Sequence, residues 1–542
     1  MPATHEVTNQ VPDLVGHDVA ADPPLLEALE REGAGWYRDE LHAVGRLAGS
    51  ATAQAWADAA HRHEPRLRTH DRVGHRIDEV DYDPGYQELT RVAVEHGFAG
   101  AAWADDRPGA HVARAAGYVT WSQVEAGHGC PITMTYAVLP ALRAAPELLA
   151  QYGPGLTSRV HDPGLRVPTT KRGLLAGMGM TEKQGGSDVR TNTTVARPDG
   201  SDDTVYRLTG HKWFTSAPMC DLFLVLAQAP GGLTCFLVPR VLPDGTRNTF
   251  RIQRLKDKLG NRSNASSEPE FEDTVAWRVG DEGRGVRTII EMVACTRLDT
   301  ALGSTAGMRA AVSRAAHHAR YRSAFGRTLI EQPLMREVLA DLACESEGAV
   351  ALAMRLAGAQ DRAAGDPREA AFRRIGVTLG KYWICKRQTA VVGEALECLG
   401  GNGYVEESGM PRLFREAPLN SIWEGSGNVN ALDLLRLLAR EPATLEAYRE
   451  EVLGVDDRVD AGFKDVEAEL GAPEERGARR LAERMAVLLT GALLVRHAPS
   501  AVADAYVSSR VVGDHGHAFG TLPRGTDVDA LLARLPETET SA

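Results

Sequence analysis

The 542-residue chain is poor in aromatic residues, at 6%, and has no apolar run long enough to cross a bilayer. The longest run, AVLLTGALLV at Ala486–Val495, is ten residues, against roughly 20 for a spanning helix. Positive charge is also short. With 61 Lys and Arg against 73 Asp and Glu the net charge is −12, so nothing global draws nucleic acid or an acidic membrane surface. Such a partner would need a local basic patch. Paired cysteine motifs are missing: Cys130, Cys220, Cys235, Cys295, Cys344, Cys385 and Cys398 are scattered and never spaced C-x-x-C. That excludes a disulfide framework or a cysteine zinc site and points to buried thiols in a reducing cytoplasm. The opening MPATHEVTNQ has neither a basic nor an apolar leader region, so no signal peptide is expected.

Three further absences narrow the chemistry. No P-loop and no G-x-S-x-G elbow occur. The dinucleotide fingerprint is missing too; its nearest match, GMGMTE at Gly177–Glu182, lacks the third glycine and the βαβ setting. A dinucleotide bound here is not held by a Rossmann half. His317 and His318 are consecutive on a helical stretch, and His515 and His517 lie in a glycine-rich loop without acidic or cysteine companions. Neither pattern suits a metal, and no metal site is expected.

What is present is a mainly helical protein with an inserted β domain. At 43% hydrophobic and 25% charged residues, the composition is that of an ordinary soluble chain. Four segments are expected. Residues 1–170 form an N-terminal arm and helical domain, in which LLEALEREGAGWYRDEL and YQELTRVAVEHGFAGAAWAD repeat apolar residues every three or four positions. Residues 171–280 form a middle β domain, where VYRLTGHKWFTS, LFLVLAQA and LTCFLVPR are split by PDG and PGG turns. Residues 281–440 return to long helices, interrupted by LGGNGY at Leu399–Tyr404, and residues 441–542 add a C-terminal helical domain.

The stretch MTEKQGGSDV, Met180–Val189, combines an acid, a base, two glycines and small polar side chains. Alone it reads equally as a surface turn or as a loop that holds a negatively charged group. It does not stand alone. GHKWFTS, RSAFG, LGGNGY and SIWEGSGN follow it in order, and together they resemble the acyl-CoA dehydrogenase family of FAD enzymes. The strings REGAGW, CPITMT and KDKLGNRSNAS resemble the AidB-like branch, linked to an adaptive response to alkylation and carrying an extra C-terminal helical domain. The resemblance implies a helical, β-barrel-like, helical architecture and FAD as cofactor.

It also implies roles. Met180 and Thr181 would face the pyrimidine edge of the flavin, Gly186 and Ser187 the pyrophosphate, Trp213 the isoalloxazine and Thr215 the flavin N5. Arg322, with Phe325 after it, would reach the FAD of a neighbouring subunit, which implies a homo-oligomer, a tetramer by family resemblance. Gln332, one position early for the family's adenine-side glutamine, and Gly400 and Gly401 complete that cofactor contact. Trp423, Ser426 and Asn428 flank Glu424, the implied catalytic base, which takes the α-proton of an acyl thioester while hydride passes to N5. Ser426 and Asn428 replace the family's Thr and Gln; Glu397 replaces a glutamine near the pyrophosphate and is left outside the site. A family branch that places its base before a helix arginine would here have Thr296-Arg297, which offers no carboxylate.

Two alternatives stay open: an alkylation-stress protein that binds duplex DNA and keeps vestigial dehydrogenase activity, or a flavin oxidase or monooxygenase. Motifs that hold flavin do not separate them. For DNA, residues 441–542 hold 11 Lys and Arg against 19 Asp and Glu. Arg476, Arg479, Arg480 and Arg484 could form a basic stripe, but the same stretch reads as an amphipathic helix docking Leu481, Met485, Leu488 and Leu489 inward.

Overall fold

The short apolar runs between Ala176 and Val279 close into a barrel, and nearly everything around them is helical. The computed structural model describes residues 4–200, 202–536 and 538. Two compact units emerge: a barrel unit of Ala55–Arg107 and Glu125–Asp299, and a helical unit of Met1–Gln54, Pro108–Val124 and Thr300–Ala542.

In the barrel unit a hairpin, β1 (Arg66–His70) and β2 (Arg76–Asp81), precedes the main sheet. The sequence reading did not anticipate it. Its five- and six-residue strands, RLRTH and RIDEVD, carry too few β-branched or aromatic residues to stand out. The main sheet comprises β3 (Ala176–Gly179), β4 (Val195–Pro198), β5 (Val205–His211), β6 (Thr215–Ser216), β7 (Leu222–Ala229), β8 (Gly232–Pro239), β9 (Phe250–Leu255) and β10 (Ser266–Val279). The strands β7, β4, β5, β10 and β8 pair in a ring, because β8 pairs with both β10 and β7. Strand β3 runs parallel to β7, while β6 and β9 add to β10.

Four phenylalanines fill the inside of this barrel. Phe223, Phe236, Phe250 and Phe271 are buried there, with Phe250 4.9 Å from Phe223 and 5.6 Å from Phe271 between ring centres. Strand β7 is buried from Leu222 to Ala227. It therefore reads as a continuous apolar run and not as an alternating one.

The helical unit is built on two long neighbours, Pro333–Arg362 and Pro367–Cys398. Each opens on proline, whose missing N–H costs nothing in the first turn. Asp366 caps the second by accepting from the amides of Arg368 and Glu369. The later helices Pro442–Val452 and Ala478–His497 pack on this pair. Leu481, Met485, Leu488 and Leu489 are buried, as the amphipathic reading expected. Buried ion pairs tie the C-terminal elements down. Arg355 binds Glu369 and Glu451, each at 2.8 Å, and Arg534 binds Glu27 at 2.6 Å and Glu347 at 2.7 Å. Arg355→Met is expected to strand Glu451 without its cation. The cost is about 3–5 kcal/mol, visible as a lower denaturation midpoint of the full chain.

The seven cysteines are all free and buried. No helix among the described residues is long and apolar enough to cross a membrane.

Candidate functional site

The sequence motifs fall on both units, and each unit's share has its own geometry. In the barrel unit, β3 ends at Gly179 and delivers Met180 and Thr181. The Trp213 amide donates to Thr181 O at 2.8 Å, and the Asn192 side-chain amide donates to Met180 O at 2.9 Å. These bonds set the MTEKQGGSDV loop beside the segment that runs from Trp213 into β6 at Thr215. Met180, Thr181, Gly186, Trp213 and Thr215 are thereby gathered on one wall, with Ser187 exposed at its rim.

Two residues given no role in the sequence reading hold that wall together. Glu182 and Lys212 have fully buried side chains and meet at 2.8 Å. Glu182 also accepts from the amides and hydroxyls of Thr193 and Thr194, at 2.6–3.1 Å, and from Gln184 at 2.9 Å. Burial alone would raise its pKa, but the hydrogen bonds from Gln184, Lys212 and Thr194 outweigh it and hold the carboxyl well below the usual range. Lys212 is pushed down to about 8 by its burial. The acid of MTEKQ and the base of GHKW are thus one structural pair. Thirty positions apart in sequence, they carry no shared local pattern that could have revealed them.

The wall fits a flavin nucleotide. The Thr215 hydroxyl is buried and, among the described residues, has no hydrogen-bond partner, so its donor is available to a ligand acceptor. Gly186 lies so close to Thr181 that a Cβ would sit 2.3 Å from the threonine hydroxyl. Cations surround Trp213: Lys256 Nζ stands 3.2 Å from its ring centre, Lys183 Nζ 5.5 Å and the Arg254 guanidinium 5.6 Å. Their field suits a ligand with anionic parts. Thr296 has only a hydroxyl, donated to Val293 O, and supplies no base.

The helical unit carries the remaining motif residues in three segments. The first is a small hairpin, β11 (Ser323–Ala324) with β12 (Arg327–Thr328). Phe325 and Gly326 turn it with φ of 52° and 79°, the pair of positive values a type I′ turn demands. Phe325 is 98% exposed. Gln332 donates to Ala324 O at 2.9 Å and pins the hairpin, while Arg322 donates to Asn9 O. In the second segment, Gly400 and Gly401 open a 3₁₀ turn after Cys398, with open space where Cβ atoms would project.

The third segment holds Glu424. It is half-buried and sits at φ 57°, followed by Gly425 at φ 101°. Trp423 donates from its indole to Asn420 Oδ1 at 2.8 Å, Ser426 takes the N-cap position of the helix Gly427–Arg440 with its hydroxyl making no capping bond, and Asn428 accepts from Arg479 at 3.3 Å. A non-glycine residue in the left-handed region is sterically costly and concentrates at functional sites. Glu397 is exposed, and among the described residues no ion pair involves it.

The tail arginines are partnered by acids. Arg476 meets Glu474 at 2.6 Å, Arg480 meets Glu469 at 3.1 Å, and Arg484 meets Glu469 at 3.0 Å and Asp465 at 3.4 Å. Three of the four arginines of this row are therefore paired with acids, while Arg479 bonds Asn428. Among the described residues no group of three or more His, Cys, Asp and Glu side chains could hold a metal.

Comparison with known proteins agrees with this architecture. Residues 9–163 match the AidB N-terminal domain of the adaptive response protein, residues 177–274 the acyl-CoA dehydrogenase middle domain, and residues 283–439 the acyl-CoA dehydrogenase C-terminal domain. The chain belongs to the acyl-CoA dehydrogenase family, with that family's fold of helical, β-barrel and helical domains. Within it, the chain is an AidB-like flavoenzyme. AidB of Escherichia coli (strain K12) is 46% identical over 509 residues, covering 93% of this chain and 94% of AidB. Acyl-CoA dehydrogenase family member 11 of Caenorhabditis elegans is 30% identical over 474 residues, covering 80% and 76%. The crystal structure of C. elegans ACDH-11 in complex with C11-CoA superposes with a TM-score of 0.82 at 26% identity, covering 98% of this chain and 93% of that one.

Proposed function

We propose that this protein binds FAD and dehydrogenates an acyl thioester, with Glu424 as the base that removes the α-proton. The observation that carries this reading is the Glu424 backbone at φ 57°, in a loop braced by buried side chains. A half-buried carboxylate is a competent acceptor for a carbon acid's proton when it is held within reach of it. Bound FAD would supply the acceptor for the hydride that leaves the β-carbon.

The protein's own groups do the rest. Met180 and Thr181 would hold the pyrimidine edge, Gly186 and Ser187 would admit the pyrophosphate, and the Thr215 hydroxyl would supply a donor to the ring. Trp213 would shield the ring from water. Gly186→Ala would drive a methyl group into Thr181. It is expected to weaken FAD binding by about tenfold or more, equivalent to about 1.4 kcal/mol, measured by titrating apoprotein with FAD.

Assembly as a homo-oligomer is part of the same reading. Phe325 at 98% exposure, Tyr404 at 85%, Leu334 at 83% and Ile422 at 62% are large apolar side chains left uncovered on the helical unit, as an interface between copies requires. The fit of ACDH-11 to C11-CoA supports an acyl-CoA as the first substrate class to test.

The test is anaerobic bleaching of the FAD-loaded protein by C11-CoA, acyl-carrier thioesters and free amines. Bleaching by a thioester and not by amines is expected. A protein that cannot be loaded with FAD overturns the cofactor, and bleaching by amines alone overturns the substrate class.

A further inference from the structure

The loop that carries Glu424 is clamped from below by a lysine. Lys381 lies in the helix Pro367–Cys398 with 1% of its surface exposed. Its Nζ donates to Asn420 O at 2.7 Å and to Gly425 O at 2.9 Å. These two carbonyls stand at the two ends of the segment that contains Trp423 and Glu424. Gly425 O accepts a second bond, from the Asn430 side-chain amide at 2.6 Å, and that amide also reaches Ser426 O at 3.1 Å. Asn420 is anchored in turn by its bond to Ser304 Oγ at 3.1 Å.

The geometry demands such a clamp. The left-handed backbone at Glu424 is sterically costly for a residue with a side chain, so it persists only where its surroundings over-determine it. Released, the peptide between Glu424 and Gly425 would relax and swing the carboxylate away from its present direction. A buried ammonium is itself costly to desolvate. Its three N–H donors let the one ammonium nitrogen serve both ends of the loop.

We propose that Lys381 is a positioning residue for Glu424: by joining Asn420 O to Gly425 O it fixes the backbone that aims the carboxylate. The inference rests on Glu424 being the base. Lys381→Met, which fills the same channel without the donors, is expected to slow the limiting rate of FAD bleaching by C11-CoA by up to about 100-fold. Half-saturation should stay within about twofold, because the lost interaction serves the reacting geometry and not binding. FAD loading and melting temperature should match the unaltered protein, and an α-deuterated C11-CoA should show a larger isotope effect as proton removal becomes more strongly rate-limiting.

Glu424→Gln is measured alongside. If it abolishes bleaching while Lys381→Met bleaches at the unaltered rate, the positioning role is overturned and the base stands. If Glu424→Gln bleaches normally, the base is overturned and the role of Lys381 with it. Should Lys381→Met fail to load FAD, Lys381→Gln, which retains an N–H donor, is measured for the same separation of rate from saturation. If neither variant separates them, Lys381 supports the fold and not the base, and the proposal is overturned.

Discussion

Glu424→Gln is expected to leave FAD bound, leave the loop in place and lower the rate of flavin reduction by acyl-CoA by about 10²–10⁴-fold, the usual contribution of a general base. The amide is isosteric with the carboxylate, so the φ of 57° and the helix start at Ser426 are undisturbed. What is lost is the proton acceptor. Saturation by substrate should change far less than the rate, since the carboxylate acts on the reacting carbon and not on the body of the ligand. Anaerobic stopped-flow bleaching measures both. An unaltered rate would remove Glu424 from the chemistry.

Lys212→Met should act on stability and, through it, on the cofactor. It leaves the fully buried Glu182 carboxylate without its cation. Breaking such a pair from one side costs about 3–5 kcal/mol. Because Glu182 also gathers Thr193, Thr194 and Gln184 behind the MTEKQGGSDV loop, the cofactor wall should loosen and FAD content fall with the melting temperature. Adding Glu182→Gln should recover part of the loss. It removes the stranded charge while keeping a carbonyl oxygen for the threonine donors. A double variant as unstable as Lys212→Met would show that the charge is not the cause.

Both predictions concern residues whose legibility differed sharply. Glu424 stood out because WEGSGN is one of the ordered motifs that resemble the acyl-CoA dehydrogenase family. Met180, Thr181, Gly186, Trp213 and Thr215 stood out for the same reason: they lie in two short strings of that set, and the structure joins the strings through Trp213 N–H and Thr181 O. The long helices expected in residues 281–440 were equally plain, and Pro333–Arg362 and Pro367–Cys398 fall there. By contrast, the hairpin of β1 and β2 is built from charged, half-exposed residues whose alternation is too short to register. Lys212 looked like any lysine in a strand, and Lys381 like any lysine in a helix.

From its sequence alone this protein had a decided class, a decided order of helical and barrel segments, and, through the resemblance of its motifs, a set of residues expected to face a cofactor. Periodicity and turn chemistry are properties of neighbouring residues, so a linear string contains them. The partners of buried charges are not. That Glu182 pairs with Lys212, that acids pair with Arg476, Arg480 and Arg484, and that Lys381 closes the loop of Glu424 were decided only by tertiary packing. Each depends on which side chains are excluded from water together, and that exclusion exists only once distant segments have met.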